Sequence, residues 1–503
     1  MAKTNSTRTC SPGSVRRDSD QRGGTTRSLK RLNRPITCVI GAVLISGVGV
    51  GRLAARSSER PQGGVAGIGP DVIVGSLQNI LKYGTVNGIS AYAVGTTSCN
   101  IGDQFLIWCD TDVPGFCNRT QHPVIAQNMY RLKDGRIEQI GMSWLKHGFC
   151  ALSDSLCGTC QDDLWGCDAL GVGCSDPYDA ILNGGQNNLG PRSQVQPALG
   201  LVAYPFTASP PAQTIGRRLQ VEIADLQPAQ NQGALYFVEG HYVTFDDAAW
   251  GNDNNNASYR RMLVGPQQGS TYLLSLNGPT FQQLPAIHAW RDHGLGLNTP
   301  DPAVELVNVD VENDGRFILA CKASDNGDGT WRYEYAVHNL CSERGARLLS
   351  VPIGAGATIT AVGHHVINHH SGEPYESDGW QSSVAAGAVV WQTGTFAESP
   401  NANALRWSTL YNFWFTADRP PATVLAKLGL FKPGSASDPV VQVVAPNGGG
   451  CAGEADLDCD GAVGGADLGL LLSAWGGDGT ADLDANGIVD GADLGVLLAA
   501  WSP

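Results

Sequence analysis

The end of the chain says the same thing twice. The run DLDCDGAVGGAD, from Asp456 to Asp467, returns 26 residues later as DLDANGIVDGAD, from Asp482 to Asp493. Each copy leads into an apolar stretch closed by tryptophan, LGLLLSAW to Trp475 and LGVLLAAW to Trp501. Duplication at a fixed offset means two copies of one structural unit that bury a shared core against each other. The last fifty or so residues therefore form a module of their own, apart from whatever the preceding 450 build.

The spacing inside each copy has a chemical reason. Calcium takes six to eight oxygens at about 2.3–2.6 Å. A twelve-residue loop supplies them from side chains at positions 1, 3 and 5, a backbone carbonyl at 7 and a closing carboxylate at 12. A glycine at position 6 makes the sharp turn. In the first copy the ligand positions are Asp456, Asp458, Asp460, Ala462 and Asp467; in the second they are Asp482, Asp484, Asn486, Ile488 and Asp493. Asp490, at position 9, restores the carboxylate that Asn486 withholds. Two calcium ions are expected, with folding of the module coupled to their binding.

This repeat resembles the type I dockerin family, in the form carried by secreted planctomycete proteins. The resemblance covers residues 453–503. It rests on the single helix after each loop and on Asp, not Glu, at position 12. It implies docking onto a cohesin-like or other surface docking protein through loop positions 10 and 11 and the helix behind them. Those positions are Gly465-Ala466 and Gly491-Ala492 here, where family members carry Ser or Thr. Dockerins sit mostly on polysaccharide-degrading enzymes, so the resemblance also raises polysaccharide catabolism.

Export is expected from the other end. Residues 1–35 are basic, with Arg16, Arg17, Arg27, Lys30, Arg31 and Arg34, and residues 36–51 are apolar and uncharged. That stretch is short for a membrane span, which needs roughly 20 residues, so residues 1–55 read as a signal peptide, or else an N-terminal anchor. Secretion or a cell-surface location follows. The net charge of −14, with no basic cluster after residue 60, excludes a nucleic-acid partner.

Past the leader there are twelve cysteines, an even number that reads as disulfides in an exported chain. Zinc at Cys157, Cys160, Cys167 and Cys174 is the alternative. Residues 69–300 read as a Cys-rich, β-rich domain, with a short helix an option for SLQNILKY (76–83). Residues 301–432 read as a β-sandwich. In it, RFILACKA and TWRYEYAVHNL flank Asn326-Gly327 and Asp328-Gly329 as a hairpin, with Cys321 and Cys341 a plausible pair on its arms. Residues 433–452 read as a Pro/Gly linker. The expected fold is mainly β: a disulfide-stapled body ending in a sandwich, plus a small helical module.

No catalytic residue stands out in the body. Trp144-Leu-Lys146-His147-Gly-Phe-Cys150 is similar to a segment of secreted acid ribonucleases, but Ser143 replaces the acid before the Trp and the companion His-Gly-Leu-Trp segment is missing. His364, His365, His369, His370 and Glu373, or His288 and His293, are metal candidates with solvated loops as the plainer reading. Asp176/Asp179, Glu239/Asp246/Asp247 and Glu373/Glu376 are candidate glycosidase carboxylates. Trp250, Trp290, Trp331, Trp380 and Trp407 are candidates for stacking on sugar, against core packing. The expected function is therefore a docked, calcium-binding, non-catalytic binding or structural protein. A polysaccharide-acting glycoside hydrolase is the alternative.

Overall fold

The run RFILACKA is apolar at successive positions, not alternate ones, which means a strand buried on both faces. The computed structural model describes residues 68–162, 164–206, 214–354, 356–385, 387–446, 455–457, 462–477, 479, 481–484 and 486–502. In it this run lies in the strand Arg316–Asp325. Phe317, Leu319 and Cys321 point into one core, and Ile318 and Ala320 into another. This strand is where the two halves of the body meet.

The first half is an antiparallel sheet of eleven strands among the described residues. Its main path runs Val72–Val86, Ile89–Asn100, Leu219–Glu222, Arg136–Met142, Val124–Lys133, Leu235–Val243, Ala257–Gln268 and Thr271–Phe281. Register shifts after Val74, Leu77 and Lys82 in the first strand are bulges, which bend a strand and increase its twist. The segment 76–83 is thus a bulged strand, not a helix, because its partner Ile89–Asn100 satisfies its backbone. The sheet curls until its edges touch. Leu77 N–H donates to Thr280 Oγ1 at 3.0 Å, Lys82 Nζ to Gln268 Oε1 at 2.6 Å and Thr85 Oγ1 to Ser270 O at 2.7 Å. Inside the curl lie Val74, Leu77, Tyr92, Met129, Val238 and Tyr242.

The second half is two five-stranded antiparallel sheets. One runs Glu305–Asp310, Arg316–Asp325, Trp331–Asn339, Thr409–Ala417, Ile359–His365; the other runs Gln381–Ala385, Ala388–Gln392, Ala346–Pro352, Pro421–Leu430, Val440–Pro446. They enclose Phe317, Tyr335, Val351, Trp391, Phe413 and Val443. The 325–331 turn closes with Gly327 and Gly329 at φ +77° and +83°, the conformation those glycines were placed to supply. The linker reading of 433–452 needs correction. Val440–Pro446 is an edge strand paired along Pro421–Leu430, because its alternating valines reach the core. Nor is the boundary near residue 300 a gap. Tyr130, Ile137, Phe237 and Trp290 from the first half share a core with Ile318, Ala336 and Leu410 from the second.

The cysteines divide by location. Four disulfides, Cys99–Cys157, Cys109–Cys117, Cys150–Cys167 and Cys160–Cys174, staple the loop-rich excursion of the first half. The zinc alternative fails there, since each of its four sulfurs is bonded to another cysteine. The expected Cys321–Cys341 pair is also corrected: both are free and buried, one in the sandwich core and the other in the core between the halves. Cys451 and Cys459, the leader 1–55 and residues 447–454 lie outside the described residues. Among the described residues no helix is long and apolar enough to cross a membrane.

Candidate metal centre

The tail folds as two interlocked copies. Its core consists of Ala455, Val463 and Leu471 with their counterparts 26 residues on, Ala481, Val489 and Leu497. Helices Gly465–Ser473 and Gly491–Ala499 follow the loops. The copies are strapped reciprocally: Gly476 N–H donates to Val489 O at 2.8 Å, and Ser502 N–H, at the matching position, donates to Val463 O at 2.9 Å. Each helix end is tied to the other copy's loop, so neither loop can shift without its partner.

In the second loop the ligand positions come together. One carboxylate oxygen from each of Asp482, Asp484 and Asp493 lies within 4.8 Å of the others. Oxygens on opposite sides of a cation at about 2.4 Å stand about 4.8 Å apart, so the cluster has the dimensions of a calcium shell. Gly487, at position 6, has φ +92°, which makes the turn that sends the chain back toward Asp493. Backbone donors hold the carboxylates in place. Asp482 accepts from Asn486 N at 3.0 Å and Gly487 N at 2.7 Å; Asp484 accepts from Asn486 N at 3.1 Å; Asp493 accepts from Leu483 N at 2.6 Å, Asp484 N at 3.1 Å and Asp490 N at 2.7 Å. These donors, the Asp490 N–H foremost, hold the Asp493 carboxyl below its ordinary range, which keeps it ionised. Asn486 presents Oδ1 to Ile488 N at 3.0 Å, and Asp490 presents Oδ1 to Ala492 N at 2.7 Å as the cap of its helix. Neither belongs to the three-carboxylate group. Ile488 contributes only its backbone carbonyl by expectation, and its side chain is exposed.

In the first loop, Asp456 and Asp467 are buried, Ala462 is exposed, and Asp458 and Asp460 lie outside the described residues. Gly464 N–H donates to Asp467 Oδ2 at 2.6 Å, the counterpart of the Asp490–Asp493 bond. Gly465, Ala466, Gly491 and Ala492 are exposed, as a docking dipeptide would have to be. On the helices behind them Leu471 and Leu497 are core residues, while Leu472, Trp475, Leu498 and Trp501 are exposed.

The other candidates are occupied with holding the body together. Among the described residues, no metal-sized group forms from the histidines. His365 Nε2 donates to Gln139 O and His370 Nε2 to Met142 O, both at 2.9 Å, tying the second half to the first. Glu373 accepts the N–H groups of Arg192 and Ser193. Glu239 is fully buried and accepts from Asn128 at 2.8 Å, Tyr130 at 3.0 Å and Ala286 N–H at 2.7 Å. Asp247 accepts from Val72 N–H and Asn256, Asp246 from Ile107 N–H, Asp179 caps a short helix at Leu182, and Glu376 accepts from Ser399. Burial pushes the Asp246 carboxyl up to about 7 and that of Asp176 up to about 6. Trp290, Trp380 and Trp407 are core; Trp331 packs partly against the sandwich core; Trp250 is exposed, with its ring laid over Gly69.

The Lys146-His147 pair is sealed in. His147 Nδ1 and His122 Nε2 share a hydrogen bond, Phe206 stacks on His147 at 4.1 Å, and burial lowers Lys146 to about 8. What the sequence did not signal is Arg192. It is buried between the halves and donates to Ser143 O at 2.7 Å, Ser408 O at 3.0 Å and Asn128 Oδ1 at 2.9 Å. Its flanking sequence, GPRSQ, looks like an ordinary loop.

No protein-family model matches this chain. No curated protein matches it either. Among solved structures, the serine-rich repeat adhesion glycoprotein Srr1 from Streptococcus agalactiae aligns with 71% of this chain and 89% of its own, at 5% identity and a TM-score of 0.18. A superposition that loose assigns neither a fold nor an activity to this protein.

Proposed function

We propose that this is an exported, mainly β binding or structural protein, held on a cell surface or extracellular assembly by a C-terminal tail that binds two calcium ions. The observation that carries the reading is the convergence of Asp482, Asp484 and Asp493 within a calcium-sized space, in one of two loops that repeat at a constant offset. Calcium would organise the loops, and the paired helices would present Leu472, Trp475, Leu498 and Trp501 to a cohesin-like or other surface docking protein. The body is read as non-catalytic, with Glu239, Asp247 and Glu373 taken up by backbone and side-chain donors. Export is supported by the four disulfides.

The test is calcium stoichiometry on the full chain, by calorimetry. Two ions per chain are expected. Asp482→Ala should leave one, and Asp456→Ala with Asp482→Ala none, each lost site weakening by more than about tenfold, or roughly 1.4 kcal/mol. Absence of calcium binding in the unaltered chain would end the proposal.

A further inference from the structure

The disulfide-stapled excursion of the first half exposes apolar side chains. Leu164 is fully exposed, Leu152 and Leu156 are more than half exposed, and Trp165 is 43% exposed. They belong to one surface. Phe116 stacks on Trp165 with ring centres 4.0 Å apart and planes 3° from parallel, and it touches Phe105 at 5.7 Å. Ser153 Oγ donates to Asp162 Oδ1 at 3.0 Å, which brings the Leu152 segment beside the Leu164 tip. Cys150–Cys167, Cys160–Cys174 and Cys109–Cys117 pin the loops that carry these groups. A cross-linked loop cannot collapse to hide its leucines, so water meets a standing apolar face, which on a soluble protein marks an interaction site.

Charge names the occupant. Across residues 100–130 and 147–191 the sequence holds nine aspartates and one basic residue, Arg119. Arg119 is already committed, 3.4 Å from Asp112 and 4.7 Å over the Tyr204 ring. Asp110, Asp112, Asp154 and Asp162 are exposed around the apolar groups. An anionic lipid surface would be repelled by that rim. A glycan would find leucines, and one tryptophan face already covered by Phe116. We infer that this face docks a basic polypeptide segment that sets apolar side chains between lysines or arginines. Its apolar groups would meet Leu164 and Trp165, and its cations the aspartate rim. The site is separate from the calcium tail and does not rest on it.

The experiment uses the full chain, in parallel with and without calcium so that any share taken by the tail's carboxylates shows as a calcium-dependent part, and a fluorescent synthetic peptide of repeated Lys-Leu-Leu-Lys. Anisotropy should report binding at least tenfold tighter than to the same peptide with Glu for Lys, or with Ser for Leu. Leu164→Ser, a change at a fully exposed position, should weaken binding at least tenfold. Leu295→Ser, at another exposed leucine elsewhere on the body, should not change it. Equal affinity for the Ser-substituted peptide would reduce the effect to net charge and overturn the inference. So would equal loss in the two variants, or preferential capture by phosphatidylcholine vesicles.

Discussion

At position 471 and at position 497 the chain places a leucine that solvent does not reach; at 472 and 498 it places one that is half exposed. Neighbours on a helix lie about 100° apart, so consecutive leucines face different surroundings. Leu497→Ala should therefore cost about 2–5 kcal/mol and unfold the tail, since among the described residues this module has a small apolar core to share the loss. Leu498→Ala should leave helicity and calcium binding intact and reduce only docking. Calcium titration of both variants separates the two: loss of binding in Leu498→Ala as well would mean that the assignment of faces is wrong. The run LLL and LL in the sequence offers no such distinction, because every residue in it is apolar.

The strand and the loop show what an element adds. Cys321 and Cys341 flank one hairpin yet do not meet: Cys321 stands opposite Tyr335 inside the ladder, whereas Cys341 lies beyond the end of the strand Trp331–Asn339 and turns into the other core. The excursion, by contrast, has no regular core, and its cysteines found each other across loops. Counting thiols under denaturing, non-reducing conditions should give two reactive groups from the body, Cys321 and Cys341, which stay unreactive in the native protein because both are buried. Burial also pushes the Cys321 thiol up to about 12, so it remains protonated and a poor nucleophile. Ten oxidised body cysteines, or rapid native labelling, would contradict the pairing found here. The histidine segment HHVINHH belongs to the same scale. It lies at a strand end, and His365 and His370 donate to backbone carbonyls of the other half instead of converging on a metal.

The joint between the halves holds a buried histidine whose protonation links stability to pH. His338, on the strand Trp331–Asn339, is fully buried, and neither ring nitrogen has a hydrogen-bond partner. Burial first, then Arg192, lowers it to about 3. Around it stand His241, lowered to about 3, His288, lowered to about 4, and Arg192, with Glu239 facing Arg192. The unfolded chain takes up a proton at this histidine near its ordinary 6.5 and the folded chain does not. Its neutral state is therefore harmless above that pH, and stability is lost progressively as pH falls from 6.5 toward 3. The buried carboxylates Asp176 and Asp246, raised in the folded state, act in the opposite sense over their own range. A comparison of variants isolates the histidine. His338→Leu should gain on the unaltered protein by about 2 kcal/mol between pH 7 and pH 5, from about 1.4 kcal/mol per pH unit below 6.5. Urea unfolding at the two pH values is the measurement, and a constant difference would show that His338 is not held neutral.

The sequence alone determined the duplicated loops, their 26-residue offset, the spacing of the acidic residues within them and the dominance of β structure. Each of these is a local pattern: a set of acids within twelve residues, a glycine at a required turn, an alternation along a strand. Tertiary structure alone decided which leucine of each tail helix is core, which cysteines are joined, that Val440–Pro446 completes a sheet instead of linking to the tail, and that Arg192 sits buried between two halves. These depend on distant partners, such as Ser408 for Arg192, 216 residues away. No window of sequence contains both members of such a pair, because burial and pairing are properties of the packed chain.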